Sequence, residues 1–105
     1  SIKDVKLSKE LNADCIEIHT GRISNLVKSR KSYVNELSRI RKSSILASKL
    51  DIEVHAGHGL DYKTTKILNR INQIQEFNIG HFIIGESIFF GLLKVIKNFK
   101  KIIKY

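Results

Sequence analysis

The sequence contains no proline, methionine or tryptophan, and a single cysteine, Cys15. One cysteine cannot close an intramolecular disulfide, so the fold has to rest on its core, and a reducing compartment fits. Cys15 sits in a strand-like run, where a buried small hydrophobe is expected rather than a nucleophile. No apolar run approaches the roughly 18 residues of a membrane-spanning helix, and the N-terminus lacks the apolar stretch of a signal peptide. The cytoplasm is therefore the expected location, with no membrane partner. With no methionine there is no initiator, and Ser1 opens inside what reads as the tail of a helix. A piece of a longer protein, or a shortened relative of one, is expected.

Acidic residues are the minority: 19 lysines and arginines face 10 aspartates and glutamates, a net charge of +9. Such a balance invites a nucleic-acid partner, but the placement argues against one. The basic residues lie mainly in two helical stretches, from Lys28 to Lys49 and from Lys94 to Lys104, where a solvated outer face explains them. Few aromatics are interleaved to stack bases, and no helix-turn-helix or zinc-finger spacing occurs. At 105 residues, with 42% apolar and 28% charged, the chain is a single domain, 1–105, of ordinary globular composition.

What the sequence does contain is a phrase written twice, Ile16-Glu17-Ile18-His19-Thr20-Gly21 and Ile52-Glu53-Val54-His55-Ala56-Gly57, then a third polar-ended run, Phe77-Asn78-Ile79-Gly80-His81. Each is a short, mostly β-branched or aromatic run that stops at glycine. The stretches between read as helix. Val5, Leu7, Leu11 and Ala13 end an amphipathic helix, with Asn12 as its stop. Thr20 to Ser29 reads as a loop, and Val34, Leu37, Ile40, Ser44 and Ala47 mark a long helix to about Lys49. Asp61 is placed to cap a short helix running to about Arg70. Strands are predicted at 15–19, 52–56 and 75–79. A last helix from Ser87 is predicted to bury Phe89, Leu92, Leu93, Ile96, Phe99 and Ile103.

Strands separated by helices are parallel, with right-handed crossovers. Three such units form about three-eighths of a (β/α)8 barrel, whose chemistry collects at the C-terminal ends of its strands. The expected fold class is α/β: three βα units of a TIM-type barrel. Two unpaired sheet edges imply a partner that covers them, either a second copy in a homo-oligomer or a complementary N-terminal fragment.

Side chains alternate along a strand, so Cys15, Glu17 and His19 share one face and Ile16 and Ile18 the other. Packing the aliphatic pair on helices turns Glu17 toward the barrel interior. A carboxylate there is costly unless paired, so it is either a site residue or the partner of an arginine elsewhere. In Gly57-His58-Gly59 the glycines permit unusual backbone angles and close approach, and an imidazole can exchange a proton near neutral pH; a solvated turn histidine is the alternative. His55 reads as a polar interior residue. Backbone N–H groups of Gly59, Gly80 and His81 are candidates for holding a phosphate. His19 and His81 raise a metal reading, but tight ligand spacing and a second cysteine are lacking, so neither a metal nor a cofactor is expected.

Together, Ile16 to Gly21, Ala56-Gly57-His58-Gly59-Leu60 and Asn78-Ile79-Gly80-His81-Phe82-Ile83-Ile84-Gly85 resemble, in order and spacing, the C-terminal part of the pyridoxine 5'-phosphate synthase family. The resemblance covers nearly the whole chain. It implies a (β/α)8 barrel that makes pyridoxine 5'-phosphate, in vitamin B6 biosynthesis, from 3-amino-2-oxopropyl phosphate and 1-deoxy-D-xylulose 5-phosphate. By the family pattern Glu17 matches the transition-state-stabilising acid and His58 the proton donor. Gly59, Gly80 and His81 match residues binding the amino-oxopropyl phosphate. Two positions depart from the pattern: His55 stands where the family usually has asparagine, and Glu86 where it has arginine. A carboxylate in place of a cation weakens anion binding unless it points away. The family's base histidine, its second catalytic glutamate and most ligands for deoxyxylulose phosphate belong to its first five strands, which have no counterpart here. Phosphorylated small molecules are thus the expected ligands, and the chain alone is not expected to turn over. The alternative is a non-catalytic, truncated or decayed homologue that keeps only a phosphate-binding rim.

Overall fold

A computed structural model of the protein describes residues 1–80 and 91–103. Helix α1 (Ile2–Glu10) precedes strand β1 (Cys15–His19), followed by α2 (Gly21–Lys28), α3 (Val34–Lys49), β2 (Glu53–Gly57), α4 (Tyr62–Leu68), β3 (Ile74–Asn78) and α5 (Leu92–Ile102). The strands form one parallel sheet in the order β1-β2-β3, with β2 at the centre. The fold is α/β, with helices between successive parallel strands.

Local chemistry explains the boundaries. Asn12 ends α1 at φ 57, a left-handed angle that asparagine tolerates, and the backbone N–H of Ala13 reaches back to the carbonyl of Ser8 at 2.9 Å. Asp61 caps α4, its Oδ1 accepting the backbone N–H of Thr64 at 2.8 Å. Two expectations are corrected here. Residues 20–29 are not a loop, because Gly21–Lys28 forms a helix that buries Ile23, Ser24 and Val27. In α5, Val95 and Phe99 carry the buried stripe while Leu92 and Leu93 are exposed; the start expected at Ser87, with Phe89, lies outside the described residues.

One face of the sheet is covered and the other bare. Ile16, Ile18, Val54, Ala56, Ile74 and Phe77 belong to the core under the helices, with α3 packed on β2. Ile74 and Phe77 reach the same side although three residues apart. The reason is a register shift: Val54 pairs with Ile74 and His55 with Glu76, leaving Gln75 as the extra residue of a bulge. On the opposite face Cys15, Glu17, His19, Glu53, Glu76 and Asn78 are exposed. Cys15 is therefore not the buried hydrophobe expected of it; alternation puts it on the bare side. Among the described residues no helix is long and apolar enough to cross a membrane.

Candidate functional site

Parallel register aligns the strand ends. His19 pairs with Gly57 and Gly57 with Asn78 in the last row, above a second row of Glu17, His55 and Glu76. Just beyond β2 the backbone turns sharply, with φ 92 at His58 and φ 69 at Gly59. A positive φ on a histidine costs about 1–3 kcal/mol and persists only where the surroundings impose it. Thr20, which has 0% exposure, imposes it here. Its hydroxyl stands 2.9 Å from the carbonyl of Gly57 and 2.7 Å from that of His58, and its backbone N–H donates to the carbonyl of Gly57 at 2.9 Å.

The rings of His19 and His58 stack, with centroids 4.1 Å apart and planes at 28°. Gly21 makes room for them: a Cβ there would lie 2.8 Å from His19 Cε1 and 3.1 Å from His58 Cδ2. Gly57 does the same for the carboxylate of Glu17. A Cβ at position 57 would overlap that carboxylate and lie 3.2 Å from the Cβ of Asn78. Glu17 is thus folded up over the end of β2.

A cleft of about 440 Å³ opens at this rim. Glu17, His58, Gly59 and Gly80, singled out from the sequence on separate grounds, all line it. His81 lies outside the described residues. Lys28, Leu60, Asn78 and Ile79 complete the lining. The sequence reading places Lys28 on a solvated outer face; as the last residue of α2 it instead brings a cation to the cleft that holds the Glu17 carboxylate. Its helical position was the missing signal. Thr20 was missed for another reason, since its partners are 37 and 38 residues away in sequence. The cleft thus offers a carboxylate, an imidazole, an ammonium group and exposed glycine backbone, a set suited to a small anionic substrate that exchanges protons.

The bare face holds another group of polar side chains. Glu53, His55 and Glu76 each offer a ligand atom, all within 4.8 Å of one another, in the lower rows of the sheet. Away from the rim, Glu36 and Arg39 of α3 form a two-pronged ion pair at 2.7 and 2.8 Å. The guanidinium holds the Glu36 carboxyl below the usual carboxylate range although burial opposes this.

The family model of the pyridoxal phosphate biosynthesis protein PdxJ matches residues 1–105. This chain belongs to the PdxJ family. It is 65% identical over 102 residues to the pyridoxine 5'-phosphate synthase of Pelagibacter ubique, covering 97% of this chain and 43% of that protein. It is 46% identical over 96 residues to the enzyme of that name from Zymomonas mobilis, with 91% of this chain and 37% of the relative covered. A relative from Sulfurihydrogenibium sp. is 41% identical over 101 residues, covering 96% and 41%. The chain spans about two fifths of the length of the curated relatives it matches.

Proposed function

We propose that residues 1–105 form one partial-barrel unit supplying the C-terminal rim of a pyridoxine 5'-phosphate synthase, which condenses 3-amino-2-oxopropyl phosphate with 1-deoxy-D-xylulose 5-phosphate. The observation that carries this reading is the convergence of Glu17, His58, Gly59 and Gly80 on one cleft at the C-terminal ends of parallel strands, where barrel enzymes keep their chemistry. In this reading the bare face of the sheet is the barrel interior, closed by five further strands. Those strands come from a preceding segment or a complementary chain in the cytoplasm.

The roles follow from the groups present. The Glu17 carboxylate stabilises positive charge developing on the amino-oxopropyl substrate. His58 donates a proton to a leaving oxygen, its ring held against His19. Backbone N–H groups of Gly59, Gly80 and His81 take the phosphate, and Lys28 adds a cation from α2. A base, together with ligands for the second substrate, has to come from the missing strands. General acid–base groups each contribute about 10²- to 10⁴-fold, so the chain alone should show no useful turnover.

The test is complementation. The chain is mixed or co-expressed with the N-terminal portion of a full-length relative, and pyridoxine 5'-phosphate formation is assayed with and without Glu17→Gln and His58→Asn. Activity that needs both pieces and falls at least about 100-fold in each variant supports the assignment. Turnover by the chain alone, or complemented activity indifferent to both substitutions, overturns it. A complex that assembles and binds phosphate without turning over favours the non-catalytic homologue.

A further inference from the structure

We propose that His19 is a positioning residue for His58: the face of its imidazole holds the His58 ring in the orientation from which it donates a proton. The inference rests on the reading of His58 as proton donor and adds the residue that aims it. His58 is exposed and stands on a turn with φ 92, so its backbone is held while its ring is free to rotate. Two openings meet at this residue. One is the cleft of about 440 Å³ that it shares with Glu17 and Gly80; the other, of about 530 Å³, lies on the α2 side with Arg22, Asn25 and Lys31. An unsupported ring divides its time between them. Among the described residues His19 borders only the second of these two openings, so it acts on the Glu17 cleft through His58.

The two rings lie face to face, with centroids 4.1 Å apart and planes at 28°. His19 is itself fixed. It ends β1 in register with Gly57, the residue before His58, which sets its Cα beside the turn. The backbone N–H of Gly21 donates to His19 Nδ1 at 3.4 Å, and a nitrogen that accepts carries no proton, so the neutral ring holds its own proton on Nε2. A Cβ at position 21 would crowd both rings, at 2.8 Å from His19 Cε1 and 3.1 Å from His58 Cδ2. His19, Thr20 and Gly21 thus act on one target: the first covers its ring, the second tethers its carbonyl, and the third leaves room for the stack. An aromatic stack favours one orientation by about 3- to 10-fold. His58 gives up its proton only in the transition state, so losing that preference falls on kcat and spares KM.

The experiment measures pyridoxine 5'-phosphate formation by the chain complemented with the N-terminal portion of a full-length relative, unsubstituted or carrying His19→Ala, His19→Phe or His19→Asn. His19→Ala should lower kcat about 3- to 10-fold with KM within about twofold. Phenylalanine keeps a flat face and lacks Nδ1, so it should restore most of the loss; asparagine keeps an acceptor for Gly21 and gives up the ring, so it should not. NMR of the unsubstituted chain should show NOEs between the ring protons of His19 and His58 and the Nε2–H tautomer at His19. That arm stands even where a variant folds poorly. Unchanged kcat in His19→Ala, a change in KM alone, rescue by asparagine but not phenylalanine, or missing ring-to-ring NOEs overturns the proposal. An active unsubstituted complex that ignores His19→Ala sinks only the positioning role, whereas an inactive one sinks the condensation reading and this proposal with it.

Discussion

Replacing Thr20 with valine keeps the shape of a fully buried side chain and removes its hydroxyl. That hydroxyl has one proton for two carbonyls, of Gly57 at 2.9 Å and of His58 at 2.7 Å. The Gly57 carbonyl retains the backbone N–H of Thr20 at 2.9 Å, so the acceptor that loses its partner is that of His58. Losing a hydrogen bond costs about 0.5–1.5 kcal/mol, and about 1–3 kcal/mol where the orphaned group stays dry. His58 is exposed, so water can reach its carbonyl and the lower range applies, about 1 kcal/mol. In a domain of this size that is a fall of about 4–8 °C in Tm. The second consequence is local: the φ of 92 at His58 loses one of its tethers, and the ring should leave its stack on His19. ¹⁵N relaxation should report lower order parameters at His58 and Gly59, moving from about 0.85 toward 0.6. Thr20→Ser is the control. It keeps the hydroxyl and gives up a methyl group, costing about 0.8 kcal/mol while leaving the His58 and Gly59 order parameters unchanged. If valine and serine loosen the loop equally, or valine leaves both Tm and order parameters unmoved, Thr20 does not hold the turn.

Two further outcomes follow from the same structure. Gly57→Ala should displace the Glu17 carboxylate from the cleft at a stability cost of no more than about 1–2 kcal/mol, because Glu17 is an exposed, flexible side chain and only the Asn78 contact at 3.2 Å must give; a moved Glu17 Cδ resonance with a near-normal unfolding midpoint is the expected pair of readings, and an unmoved one refutes the close approach. Glu36 has its folded-state pKa lowered by Arg39, so its stabilising contribution is full above the ordinary carboxylate pKa and is lost as pH falls through the depressed folded value. Glu36→Gln should flatten the acid side of the stability curve, with an effect on the order of 1 kcal/mol for an ion pair of a buried carboxylate with an exposed guanidinium; an acid limb unchanged in Glu36→Gln would show that other carboxylates carry it.

The parallel α/β layout was legible because short strand runs alternate with 3.6-period helices, and both patterns are local. Asn12 and Asp61 were legible as a helix stop and a cap, for each acts on backbone within a few residues of itself. Glu17 could be turned toward the functional face from strand alternation alone, and Gly57-His58-Gly59 marked a turn because glycine announces unusual backbone angles. What the tertiary structure decided depends on partners far apart in sequence. Gly21–Lys28 became a helix because Ile23, Ser24 and Val27 found a core to bury against, and that helix carried Lys28 into the cleft. Thr20 became the anchor of the His58 turn only when β1 and β2 aligned in parallel register. The bulge at Gln75 set Glu76 opposite His55, a juxtaposition that periodicity within either strand does not contain. Periodicity fixes which side a residue faces; register, which is set by packing between strands, fixes which residue it meets.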